Sequence, residues 1–355
     1  MLLVILAAVA PARARADEPL TLEQAMTRAR AGALEAQAAS ALVAAGDERL
    51  RQARSYRKPQ VRLQEIWTRT DSPAEAFGLM LNQERFSLAE FSAGDPNDPN
   101  PIENALTRFE VELPVYTGGE IGGRIRQAEL AATGARQSSA WVEDQAAWAA
   151  GEAYVRLLQA REQVSLLETT IAAVDAHVAL ARAFVEQGML VRSEQLRAEV
   201  EAARVRELVI EAHGRTRVAA ANLGFRLGED GPRDWRLESL VEPQPPGEPL
   251  EAWLASADQR LDLEAARRQV EAGELEEPIL LSALKPKIGL LARHDRYDRS
   301  LFGSSGTSSA VLAVASIDLF AGGRHRAAAA SARAAAAAAA LEVERFRQGI
   351  RLEVR

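Results

Sequence analysis

The sequence predicts a mainly α-helical chain with a small β part, built from two internal repeats around a long α-helical hairpin. Between Pro114 and Pro232 there is no proline, and Ala, Glu, Arg, Leu and Gln dominate the block, so very long helices are expected there. Shorter segments outside the block alternate apolar and polar residues with the period of a strand. Two parts of the chain also copy each other in the order of their motifs, the mark of a duplicated unit.

Taken from the N-terminus, Met1 to Val9 is an apolar run, and Ala14-Arg15-Ala16 resembles a cleavage site before Asp17. Residues 1–16 therefore read as a secretory signal peptide, because so short a run cannot cross a bilayer core that needs about 20 apolar residues. No other stretch is expected to make a membrane helix. Residues 17–240 form the first repeat. Its opening helix runs from Leu34 to Arg57, and Lys58-Pro59 leads into a strand at about 60–70 whose alternation is spoiled by Glu65 and Ile66. Loop 71–105 has an apolar half and a proline-rich half, and its apolar half should pack as structure, the alternative being a ligand or receptor surface.

The next strand, about 106–116, alternates strictly. Phe109, Val111, Leu113 and Val115 share one face, with Arg108, Glu110 and Glu112 on the other. Gly118-Gly119 should bend the strand sharply into the helical hairpin, 119–227. In that hairpin Leu157, Val164, Ile171, Val178 and Val185 recur every seven residues, with Ala160, Leu167, Val174 and Ala181 between them, which is a coiled-coil seam. Trp141, Trp148 and Val155 share the spacing, and Leu196, Val200 and Ala203 are expected to continue an apolar stripe beyond the break at Gly188.

Residues 241–249 are a proline-rich linker, and 250–355 form the second repeat. Lys285-Pro286-Lys287-Ile288 repeats Lys58-Pro59-Gln60-Val61, and Ile317-Asp-Leu-Phe-Ala-Gly-Gly323 repeats Leu113-Pro-Val-Tyr-Thr-Gly-Gly119. Strands are expected at about 287–297 and 310–320, with Gly322-Gly323 as the second strand-to-helix turn. Ala327–Ala340 begins a helix of small, close-packing side chains.

Chemistry has few handles here. The chain has no Cys, which removes disulfides, thiol catalysis and thiolate metal sites, and its four His are scattered. No phosphate loop or nucleophile elbow appears, so no enzyme activity and no cofactor or metal site is expected. A net charge of −7 argues against a nucleic-acid partner. The run His294-Asp-Arg-Tyr-Asp298 reads as a polar strand end rather than a cation site.

These features resemble the TolC-like outer-membrane efflux proteins over nearly the whole chain after residue 16. The resemblance is carried by Leu20-Thr-Leu-Glu-Gln-Ala25, by Lys-Pro before a strand in both copies, and by aromatic-x-Gly-Gly before a helix in both. Gly188-Met-Leu-Val-Arg-Ser-Glu-Gln-Leu-Arg-Ala198 is similar to the family's helical tip. Helix lengths agree: residues 122–187 would span roughly 100 Å, and the two flanking helices together nearly equal that.

The resemblance implies a channel subunit of an efflux pump or type I secretion system, set in the outer membrane with a periplasmic helical extension. Its partners would be a periplasmic adaptor and an inner-membrane pump. The adaptor would dock at Gly188, Met189, Leu190 and Ser193. Four strands cannot close a membrane barrel, and open strand edges in lipid are costly, so copies must share one. The resemblance makes the assembly a homotrimer with a twelve-stranded barrel. Arg108, Glu110 and Glu112 would then line the lumen, since Lys or Arg at the lipid midplane costs roughly 2–4 kcal/mol. The alternative is a periplasmic coiled-coil adaptor of the same machines, which would share the hairpin but would need a lipoyl-like β module. The second repeat runs only to Arg355 with no stop signal, so the chain reads as C-terminally truncated. Val343, Phe346 and Ile350 are expected to form a seam without a partner.

Overall fold

The computed structural model describes residues 19–231, 233–241 and 247–355. The expected signal peptide, residues 1–16, and most of the proline-rich linker lie outside them. The packing forms two compact units. One joins the described residues up to Leu42 with Ser138–Pro249, and the other joins Val43–Gln137 with Leu250–Arg355.

In the first unit α1 (Leu22–Gly32) opens with a capping box. The Gln24 backbone N–H donates to Thr21 Oγ1 at 3.1 Å, and the Thr21 N–H donates to Gln24 Oε1 at 3.3 Å, so two unpaired donors of the helix start are satisfied. The opening motif thus has a local physical job. The long hairpin consists of α5 (Glu120–Glu186) and α6 (Arg192–Arg226). Every position of the expected seam from Leu157 to Val185 is buried or half-buried.

The hairpin departs from expectation at its two flanks. Trp148 is exposed, and α5 packs instead through Ala146, Ala150, Ala153, Tyr154 and Leu157. On α6, Leu196 and Val200 are exposed while Ala198, Ala202, Val205 and Ala212 are buried. In both cases alanine takes the inward position, because helices that approach closely leave no room for a larger side chain. Three-four spacing alone does not say which of two neighbouring stripes is the inner one.

Leu20, Ala25, Ala29, Ala150, Tyr154, Leu157, Leu223 and Trp235 form the core of this unit. The Tyr154 hydroxyl lies 2.8 Å from the carbonyl of Leu20 and 2.7 Å from that of Glu238, which ties α5 to two irregular segments. Burial raises the Tyr154 pKa. The turn after α6 meets the end of α1 backbone to backbone, just before α2 (Leu34–Ser55) begins: a Cβ on Gly228 would stand 2.1 Å from the carbonyl oxygen of Gly32.

α5 also contains an 18-residue window of mean hydropathy 1.4, apolar enough by composition to cross a membrane, contrary to expectation. Alanine accounts for the difference, since it raises the mean without making a continuous greasy surface.

The second unit holds a four-stranded antiparallel sheet in the order β1-β2-β3-β4. β1 is Gln60–Thr70, β2 is Ile102–Tyr116, β3 is Lys287–Asp298 and β4 is Gly306–Ser316. β2 starts earlier than its alternation suggests, since Ile102 to Ala105 pair with Thr70 to Trp67. β4 lies four residues before the expected 310–320. The ladder ends at Lys287–Ser316, where β3 begins, so Ile317 to Phe320 have no strand to pair with. Both parities of that run are largely apolar, which hides the boundary from a sequence reading.

Helices α3 (Pro73–Asn82) and α4 (Leu88–Ala93) occupy the β1–β2 loop, with the rings of Phe77 and Phe86 edge to face at 5.4 Å. α7 (Leu250–Ala257), α8 (Leu261–Glu274) and α9 (Glu276–Leu281) precede β3. Pro278 falls within the stretch that corresponds to the unbroken α2, and it lacks the N–H that a continuous helix uses.

The last helix, α10 (Arg324–Glu353), packs on α8 and α9. Ile350 is 1% exposed against Ala257 and Leu263, with Val343 packed beside them, so the expected partnerless seam is corrected: two of its three residues are covered. A second-copy helix broken into shorter pieces supplies that cover.

Candidate functional site

The sheet gives its two faces different characters over most of its length, while Arg69, Glu103, Arg296 and Asp298 share the otherwise apolar face toward the end remote from the strand-to-helix turns. Register places Arg62, Gln64, Arg108, Glu110, Glu112, Arg293 and Asp295 on one face. Val61, Leu63, Trp67, Phe109, Val111, Leu290 and Val311 share the other. Most of that apolar set is exposed to solvent in the single chain. The acids on this face have local partners: Glu65 accepts hydrogen bonds from the Thr107 hydroxyl at 2.6 Å and the Phe302 N–H at 3.1 Å, and Glu103 pairs with Arg69 at 3.4 Å.

The charged face is cross-linked by ion pairs. Arg108 donates to Asp295 through Nε at 2.8 Å and Nη2 at 2.9 Å, in a bidentate geometry across β2 and β3. Asp295 is 1% exposed and Arg108 is 23% exposed. Glu110 accepts a single hydrogen bond from Arg62 at 3.3 Å. From sequence, Asp295 stands only within the polar strand end 294–298 and Arg293 is not singled out, although their alternation along β3 is the signal that could have placed both on this face. His294 and Asp298 point to the opposite face from Asp295 and Tyr297, so that run is not gathered into one cluster. His294 Nδ1 instead meets Ser309 Oγ at 2.9 Å, and Asp298 accepts from Ser300 and Ser305.

At the base of the sheet the glycine pairs connect strand to helix. Gly118, Gly119, Gly322 and Gly323 have φ of 67°, 100°, 60° and 79°, a left-handed backbone that costs other residues strain. A Cβ on Gly118 would stand 2.6 Å from the carbonyl oxygen of Ser282. Glu120 follows in the first turn of α5, where an acid suits the helix dipole, and it accepts from Lys287 Nζ at 2.6 Å. Farther along, Glu276 takes hydrogen bonds from Gln127 and Arg124. Burial works to raise the Glu276 pKa, and the two donors together outweigh it, leaving the carboxyl below its ordinary value.

The hairpin turn belongs to the first unit. Gly188 has φ of 73°, and the N–H of Met189 donates to the carbonyl of Phe184 at 2.8 Å, closing α5 with a left-handed cap. Met189 is 61% exposed, Val191 is exposed beside it, Ser193 is exposed, and Leu190 is half-buried. The turn at the end of the two long helices is thus apolar and largely solvated.

No protein-family model matches this chain, and no curated protein matches it in sequence. Solved structures do match in fold. VceC, an outer membrane protein of Vibrio cholerae, is 17% identical, with a TM-score of 0.72 over 92% of this chain and 75% of that one. The MtrE outer membrane channel of Neisseria gonorrhoeae, in its open state, is 14% identical, with a TM-score of 0.72 over 92% of this chain and 70% of that one. CusC, described in terms of transmembrane channel formation, is 14% identical, with a TM-score of 0.75 over 92% and 72%. The chain therefore has the fold of outer-membrane channel proteins. The resemblance to TolC-like outer-membrane efflux proteins holds at the level of fold.

Proposed function

We propose that this chain is one subunit of an outer-membrane channel serving a tripartite efflux pump or a type I secretion system, a passive conduit that performs no chemistry. The observation that carries the reading is the sheet itself: four strands with two unpaired edges, one charged face and one apolar face. Burying the charged face in lipid would place Arg62, Arg108 and Arg293 there at roughly 2–4 kcal/mol each near the midplane. Turning Phe109, Val111, Leu63 and Val311 outward leaves only Arg69 and Arg296 on the outer side, both near the strand ends and away from the midplane, so the charged face lines water. The open edges of β1 and β4 are satisfied only by other copies, and three copies give a closed ring of twelve strands.

The hairpin alone would also suit a periplasmic adaptor. An adaptor, however, has no use for a sheet that is apolar outside and ionic inside, and the fold likeness favours the channel. The turn at Gly188, Met189, Leu190 and Ser193 is then the surface for a periplasmic adaptor, with an inner-membrane pump supplying energy.

Fractionation and mass test the proposal together. A detergent-extracted trimer from the outer membrane that conducts ions in planar bilayers is the expected result. A soluble periplasmic monomer would overturn it.

A further inference from the structure

The β1–β2 loop does not stand clear of the sheet. Gln83, at the end of α3, is 1% exposed, and its Nε2 donates to Asn104 Oδ1 at 3.0 Å and to the Glu103 carbonyl at 2.9 Å. Asn104 has the strand parity of Arg108, Glu110 and Glu112, with an uninterrupted register from Gln60 to Thr70, so Gln83 reaches the charged face.

A second contact, on another strand, agrees. Gly306 pairs with Tyr297, and Ser308 with Asp295, so a side chain at 306 would also point to the charged face. A Cβ there would stand 2.0 Å from the carbonyl oxygen of Asn82. Only a glycine lets the end of α3 lie so close. Both contacts fall at the sheet end remote from the strand-to-helix turns. The loop is folded on itself as well, around a pocket of about 210 Å³ lined by Phe77, Met80, Phe86, Asp98 and Ile102.

We infer that the β1–β2 loop is an inward-folded collar that narrows the outer mouth of the passage, seated on Gly306 and Asn104. The inference rests on the channel reading above, in which the charged face is the lumen. Twelve strands at about 4.8 Å spacing and about 40° tilt enclose a ring roughly 24 Å across between backbones. A helix with its side chains is about 10 Å thick. Three copies of α3 laid on the inner wall would fill most of that ring, so this loop narrows the outer mouth.

Single-channel conductance of the purified full chain in planar bilayers tests the collar. Replacing residues 73–100 with a short Gly-Ser linker should raise conductance several-fold, and Gly306→Ala, which forces α3 off the sheet, should raise it in the same direction. Because the chain has no native Cys, Leu81→Cys gives a single thiol on exposed α3. A cationic thiosulfonate added after assembly should lower conductance in that variant and leave the parent unchanged, which keeps the test sound if a loop variant fails to assemble. Pores that form normally but ignore both the loop replacement and the thiol adduct overturn the collar alone. A parent chain that forms no pore overturns the channel reading, and the collar falls with it.

Discussion

Removing Arg108 should cost far more than removing its neighbour Arg62, although both are arginines paired with acids on the same face. Arg108 holds a carboxylate that is 1% exposed with two hydrogen bonds, at 2.8 and 2.9 Å. Arg108→Met would leave Asp295 with Arg293 at 3.9 Å and a marginal contact from the Tyr297 hydroxyl at 3.4 Å. A buried charge stripped of its partner costs about 3–5 kcal/mol. Arg62 is itself 55% exposed and makes one contact of 3.3 Å, so Arg62→Met should cost about 0–1 kcal/mol. The difference, about 3 kcal/mol, corresponds to roughly two orders of magnitude in the unfolding equilibrium. Denaturant unfolding of each variant, refolded in the same lipid or detergent, measures it. The double variant Arg108→Met with Asp295→Leu should recover most of the loss, because no charge is left unpaired. Equal losses for the two single variants, or no recovery in the double, would refute the reasoning.

Other outcomes follow from particular contacts. Met189→Asp should leave the melting temperature nearly unchanged while weakening crosslinking to a periplasmic adaptor; undiminished crosslinking and drug resistance would count against the turn as the docking surface. Gly123→Ala places a Cβ 2.4 Å from Cγ1 of buried Ile279, and overpacking of this kind should destabilise by about 1–3 kcal/mol. Gly46→Ala meets nothing nearer than 3.6 Å and should stabilise by about 0.5–1 kcal/mol, so melts of the two variants should move in opposite directions. The Glu276 carboxyl is depressed in the fold, so its contribution is complete above the ordinary carboxylate range and is lost as pH falls through its lowered value. The melting difference between the parent and Glu276→Gln should therefore shrink as pH falls below the ordinary carboxylate range, and a difference that persists in strong acid would contradict it.

The seam from Leu157 to Val185, the glycine pairs and the faces of β2 were all legible in the sequence, because each depends on a short-range rule of spacing or backbone freedom. The edge of β4 was not legible, since a strand ends where its partner ends and Lys287 lies far away in sequence. Nor was the inner stripe of α6. Leu196 looks more hydrophobic than Ala198, yet the approach of α5 selects the smaller residue. Asp295 gave no sign of its importance until register set it opposite Arg108.

What the sequence determined by itself is therefore the inventory of elements, their duplicated order and the two-faced character of the strands. These follow from periodicity, which a chain carries locally. The tertiary structure decided which residues meet: the Arg108–Asp295 pair, the cover over Ile350, and the seating of the β1–β2 loop on the charged face. Each joins positions distant along the chain, and their pairing depends on register and close approach. A one-residue shift in register would send every one of those strand side chains to the other face.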